Sequence, residues 1–154
     1  MGSAGFRLER ILRLRRRLCD MEEMATRRAN MLRNESEAAL DAARGDLARN
    51  SEAILESGQR GCQAEALHNR WWHQVRLETV RTGREEDLKE KERLAEQSRT
   101  RLQQARQRRE ILDRLREQAE KKAEIHRRRH EQKVIDDVAS SRHVMEGGEN
   151  NHEW

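Results

Sequence analysis

The complete absence of proline is the feature that most restricts the fold of this 154-residue chain. An average chain of this length has roughly eight prolines, and each can break a helix because it lacks an amide hydrogen and clashes with the preceding turn. The other residues are rich in strong helix formers such as Ala, Leu, Glu and Arg. The sequence therefore predicts long, uninterrupted helices.

The composition argues against a sizeable globular core, because only 34% of the residues are hydrophobic and 40% are charged. Lys and Arg total 33 against 29 Asp and Glu, which gives a formal net charge of +4 that is small beside the gross charge. Charges of both signs are mixed along the chain, so we expect a solvated surface and no nucleic-acid partner.

The glycines indicate how one coiled-coil domain, residues 1–154, is organised. Residues 6–57 are predicted to form a first long helix and residues 84–145 a second. Residues 58–83, which contain Gly58, Gly61 and Gly83, are predicted to form a hinge with a short helix, and residues 146–154 a flexible tail. The predicted fold is all-α, a long two-helix antiparallel coiled-coil hairpin, with parallel self-dimerisation as the competing arrangement.

Seven-residue spacing of apolar side chains predicts the contact between the helices. On the first helix the spacing follows one line and then a second line one residue later, which predicts a register slip: Leu18, Ala25, Leu32 and Ala39, then Leu40, Leu47 and Ile54. If residue 57 faces residue 84 across the hinge, Phe6 lies near Ile135 and residues 136–145 project alone, which we treat as a hypothesis.

No motif for catalysis or for a cofactor occurs in the sequence. His126 and His130 have the spacing of a shared metal site, but three arginines separate them, so a solvated face is the favoured interpretation. Cys19 and Cys62 form neither a CxxC pair nor a disulfide framework, which predicts free thiols in a reducing compartment. No apolar run is long enough for a membrane span, and no signal peptide is evident. We expect a cytosolic, non-enzymatic protein without cofactor or metal.

Two segments could bind partners. Residues 7–18 hold six arginines among leucines and could lie on an anionic membrane or on phosphates, or could dock their leucines on the other helix. Trp71 and Trp72 diverge by about 100° on a helix, so one seam cannot easily bury both. At least one could face a partner, or both could cap the tip of the hairpin.

Three stretches, in order over roughly residues 6–143, resemble the FliJ family of flagellar type III export proteins. They are the opening Phe6-Arg-Leu8-Glu-Arg-Ile11-Leu12-Arg-Leu14, the central Gly61 with Glu65-Ala-Leu67 and Leu77-Glu78, and the late Ala105-Arg106, Leu112, Leu115 and Glu131-Gln132-Lys133-Val-Ile-Asp136-Asp137-Val-Ala139. The stalk proteins of injectisome type III secretion are a related family that remains open as an alternative.

The resemblance implies a rod-like stalk similar in shape to the shaft of the F-type ATP synthase. Such a stalk would insert into and stimulate the flagellar export ATPase ring, contact the cytosolic domain of the export gate and escort export chaperones. It would lie in the cytoplasm, peripherally at the inner membrane.

The resemblance also implies two sets of contact residues. The residues implied for the ATPase ring are Phe6, Leu8, Ile11, Arg127, Gln132, Lys133 and Asp136. The residues implied for the export gate are Trp71, Trp72, His73, Leu77 and Val80, with His73 standing where the family usually has an aromatic residue. Two other functions remain open: a structural coiled-coil spacer, or a basic helix that binds membrane or nucleic acid.

Overall fold

A computed structural model describes residues 7–149, with side-chain surroundings up to residue 142. These residues form two helices, α1 (Glu9–Arg60) and α2 (Ala64–Glu149). The predicted all-α fold of two long helices in a hairpin is confirmed. Phe6 lies outside the described residues, as do residues 150–154 of the predicted tail, whereas residues 146–149 continue α2.

The turn between the helices is much shorter than predicted. Gly61 follows α1 directly and has a φ of +72°, which glycine adopts without the strain that a side chain would cause. The new helix starts at once, since the amide of Leu67 donates to the backbone oxygen of Gln63 at 3.2 Å. The predicted hinge at 58–83 and second helix from residue 84 are therefore wrong in extent. The predicted short helix is the first part of α2, and Gly83 is tolerated there because one helical glycine costs only about 1 kcal/mol.

Packing divides the chain into two units. One unit combines the chain up to Leu14 with the residues from Arg108 onward, and the other comprises Arg15–Gln107. Both units contain parts of α1 and α2.

In the unit Arg15–Gln107, the two helices run antiparallel along a narrow, partly polar seam. Its buried residues follow heptad spacing on both helices: Cys19, Thr26, Ser36, Leu40 and Ala43 on α1, and Ala95, Ser98 and Leu102 on α2. Ser36 donates to Asp87 Oδ2 at 2.6 Å, and Asn50 donates to Gln74 Oε1 at 2.8 Å. These polar contacts fix the register, as single polar residues do in coiled coils.

The predicted register slip on α1 is absent. The line of Leu40 continues back in steps of seven through Arg33, Thr26 and Cys19, and all of these are buried or half-buried. Leu18 and Leu32, which the apolar pattern placed in the seam, are exposed. The pattern misled because the seam accepts Thr26, whose hydroxyl lies 2.8 Å from the Glu22 backbone oxygen of its own helix and 3.2 Å from that of Ser98.

The predicted pairing across the hairpin is also wrong. In the unit Arg15–Gln107, Asn50 contacts Gln74. In an antiparallel pair, a later residue of α1 faces an earlier residue of α2, so residue 57 cannot face residue 84. In the unit formed by the two ends of the chain, Leu12 is fully buried and Glu9 lies 3.7 Å from Arg116. The hypothesis that residues near 6 face residues near 135 is wrong there too. The start of α1 meets Arg116, and α2 continues well beyond that residue.

Candidate functional site

The five residues predicted to contact an export gate do not form one patch. They lie in the first turns of α2, where His73, Leu77 and Val80 share one face and Trp71 points about 160° away from His73. Leu77 is half-buried, with the spacing of the seam that contains Gln74. Its first role is therefore to pack against α1, while His73 and Val80 are exposed.

The two tryptophans are 54% and 49% exposed, and they contact each other edge to face at 5.4 Å between ring centroids. Trp72 Nε1 donates to Nε2 of His68 at 2.8 Å, one helical turn earlier. Trp71 and Trp72 thus form an exposed aromatic cluster braced by His68, on a part of α2 that follows the turn directly. A contact with a partner and a cap on the tip of the hairpin both stay predictions for these two residues.

The residues predicted to contact an ATPase ring do not lie together. Leu8 is half-buried and Ile11 is exposed near the start of α1, close to the level of Arg116. Arg127 lies 11 residues, about 16 Å, further along the helix axis. It pairs with Glu124 and with Glu131, and Gln132 donates to Asp136 Oδ1 at 2.8 Å. Lys133 and Asp136 are exposed.

The free part of α2 begins after Arg116. From residue 117 to residue 142 every side chain except Glu124 is exposed. This length exceeds the projection of residues 136–145 that the sequence suggested, because the helices pair in a different register. The segment is a single charged helix with surface apolar residues and no buried face of its own.

Sequence reasoning missed an apolar patch on this free segment. Val134, Ile135 and Val138, with Ala139, line a shallow surface depression beside Arg142. Their spacing of three and four residues places them on one side of the helix, roughly opposite Asp136. The signal was present in the sequence as this spacing. The spacing alone could not be interpreted, because only the register shows that no described part of α1 covers the patch.

In each unit, an ion pair between partly exposed side chains links the two helices. In the unit Arg15–Gln107, Arg106 donates to Glu23 at 2.8 Å, and this hydrogen bond raises the pKa of Arg106 above its usual value. In the other unit, hydrogen bonding to Glu120 and then the charge of Glu9 raise the pKa of Arg116. Exposed pairs of this kind contribute little stability and are screened by salt, so they suit reversible contacts.

The described residues offer no obvious centre for catalysis or metal binding. No group of three His, Cys, Asp or Glu that could hold a metal ion occurs among them. Cys19 is buried and Cys62 is exposed, and within the described part of the chain neither forms a disulfide. Within residues 7–149 no helix is long and apolar enough to cross a membrane.

Comparison with known proteins identifies one family and one fold. Residues 4–148 match the family described as Flagellar FliJ protein. The structure is similar to that of CT670 from Chlamydia trachomatis, a proposed homologue of YscO, with a TM-score of 0.59 and 16% identity over 95% of this chain and 99% of that one. At this identity the likeness concerns the fold alone. No curated protein sequence matches the chain significantly.

Proposed function

The chain belongs to the flagellar FliJ protein family, and from that premise we propose that it is a non-catalytic stalk component of the flagellar type III export apparatus. Its free α2 segment would bind the export ATPase ring at the cytoplasmic face of the inner membrane. The observation that supports this most directly is the exposed apolar patch of Val134, Ile135 and Val138 on a helix that no described residue of α1 covers.

The free segment has the chemistry that a reversible contact inside a protein ring requires. Val134, Ile135 and Val138 supply a small apolar area, the opposite side carries Lys133 and Asp136, and Gln132 lies at the edge of the patch. Apolar anchors near the centre of a contact dominate its binding energy, while rim charges mainly steer and align the partners. Arg127, paired with Glu124 and Glu131, belongs to this rim.

The gate contact is proposed separately for the first part of α2. There His73 and Val80 are exposed on one face, and Trp71 and Trp72 form a separate aromatic surface on the same part of the helix. Aromatic residues are enriched among those that dominate interface energies. Leu77 would support this surface from the seam, and export chaperones would be further partners.

The test uses purified flagellar export ATPase, with ATP turnover and ring assembly measured as the full chain is added. The wild-type chain should raise both, and Ile135→Glu should lose most of the stimulation because it places a charge in the apolar patch. Ile111→Glu is a matched control, since Ile111 and Ile135 are both 60% exposed on the same helix. Surface substitutions such as these should change the free energy of unfolding by less than about 0.5 kcal/mol.

The results separate the proposal from its rivals. If the wild-type chain changes neither turnover nor assembly, the chain is a structural spacer and the proposal fails. If both variants lose stimulation equally, the apolar patch is not the contact. A basic helix that binds membrane or nucleic acid would instead show binding that falls steeply with salt.

A further inference from the structure

An open apolar groove lies between α1 and α2 within the unit Arg15–Gln107. Its volume is about 460 Å³, within the range of roughly 300–1,000 Å³ that is typical of binding pockets. Six of its lining residues carry the argument: Met21, Met24, Arg28 and Leu32 on α1, and Lys91 and Leu94 on α2. Met24 is 70% exposed, which is unusual for so large an apolar side chain.

The α1 wall of this groove has the spacing of a second coiled-coil face. Leu18, Met21, Ala25, Arg28 and Leu32 follow one another at intervals of three, four, three and four residues, and all are exposed. The heptad positions that pack on α2 are different ones, such as Cys19 and Thr26. A face with this periodicity fits another α-helix, because knobs from one helix enter holes on the other every three and four residues.

The charges at the groove indicate which kind of helix fits. Both charged residues that line it, Arg28 and Lys91, are basic. Lys91 has only a loose pair with Asp87 at 3.9 Å, and Arg28 makes no hydrogen bond or ion pair with any described residue. A second copy would bring the same basic face to the groove, whereas an acidic helix would neutralise it. Methionine side chains are flexible and adapt to different apolar partners.

We propose that this groove binds an amphipathic α-helix of another protein, with apolar residues at heptad spacing and acidic residues beside them. The partner helix would pack over Met21 and Met24 as the third helix of the coiled coil, with its carboxylates near Arg28 and Lys91. This surface is distinct from the free segment of α2 and from the tryptophan cluster, so it would serve an additional partner.

The test uses the full chain and two synthetic four-heptad peptides labelled with fluorescein. Both have leucine at positions a and d, and they differ only in carrying glutamate or lysine at positions e and g. Fluorescence anisotropy should show the glutamate peptide binding at least about tenfold more tightly than the lysine peptide, with an affinity that falls as salt is added. Equal binding of the two peptides would overturn the proposal.

Three variants locate the site. Met21→Gln with Met24→Gln should abolish binding of the glutamate peptide, and Arg28→Glu should weaken it about fivefold. Arg27→Glu is the matched control, because Arg27 is also exposed but does not line the groove, and it should change binding little. Unchanged helical circular dichroism in each variant would exclude unfolding as the cause.

Sedimentation of the chain alone distinguishes a second copy as the occupant. A monomer at all concentrations is the expected result. If the chain forms a dimer and Met21→Gln with Met24→Gln dissociates it, the groove binds a second copy of the chain. The proposal of an acidic partner would then be wrong. Loss of peptide binding by the Arg27 control to the same extent as by Arg28→Glu would also overturn it.

Discussion

Thr26 of α1 meets Ser98 of α2 in the buried seam, with Oγ1 of Thr26 3.4 Å from Oγ of Ser98 and 3.2 Å from the Ser98 backbone oxygen. The Thr26 hydroxyl also lies 2.8 Å from the backbone oxygen of Glu22. Two hydroxyls therefore occupy positions where most coiled coils place apolar residues. Polar residues at such positions fix the register of the helices at some cost in stability.

Replacing both hydroxyls by apolar groups should stabilise the hairpin. Thr26→Val with Ser98→Ala is expected to raise the free energy of unfolding by about 1 kcal/mol, because a buried polar pair is removed as a unit and no partner is left unsatisfied. Urea unfolding followed by circular dichroism measures this. Thr100→Val is the control, since the exposed Thr100 hydroxyl bonds the Glu96 oxygen of its own helix and no other residue that the structure describes. A loss of stability in the double variant would show that the hydroxyl contact is net stabilising.

Ser36 donates a short hydrogen bond of 2.6 Å to the carboxylate of Asp87 across the seam. Ser36→Ala should lower the free energy of unfolding by about 1.5 kcal/mol, because a hydrogen bond to a carboxylate is lost at a buried position. Thermal and urea unfolding measure the change. Ser141→Ala should have almost no effect, since the only described partner of the exposed Ser141 hydroxyl is the Asp137 oxygen of its own helix. Equal stability of the two variants would mean that solvent replaces the Ser36 contact.

The fold was largely predictable from the sequence, but the register was not. Absence of proline and abundance of helix formers predicted two long helices, and Gly61 marked the turn. The buried positions of the seam were not predicted, because the periodicity rule selects the most apolar line and Leu18 and Leu32 are more hydrophobic than Cys19 and Thr26. Burial followed the line that matches α2 instead, which leaves the more apolar line exposed.

The candidate contact residues were predictable only in part. The resemblance pointed to the region of Arg127 and Gln132, which no described residue of α1 covers, but which side of a helix is free depends on the partner helix. Val134, Ile135 and Val138 became recognisable as an uncovered patch only when Glu9 was found beside Arg116. Leu77 matched the family pattern, yet its position in the seam could not be known without the register.

The register itself can be checked by disulfide cross-linking in a chain with Cys62→Ser. Cysteines at Thr26 and Ser98 should join within one chain under mild oxidation, because these residues are in contact across the seam. Cysteines at Thr26 and Arg84 should not, since Arg84 lies two heptads, about 21 Å, before Ser98 on the same side of α2. Mobility on non-reducing gels reports the result. Joining of the second pair would mean that the helices slide.

Leu77 and Val80 should separate packing from partner binding at the start of α2. Leu77→Ala is expected to lower the free energy of unfolding by about 1–2 kcal/mol, because its side chain is half-buried at a seam position. Val80→Ala should change stability by less than about 0.5 kcal/mol, since Val80 is 49% exposed. If His73 and Val80 form the gate contact, Val80→Ala should still weaken binding of the purified cytosolic domain of the export gate in calorimetry. Full binding by Val80→Ala, with binding lost only when Leu77→Ala unfolds the helix, would show that this face supports the fold and leaves gate binding to another surface.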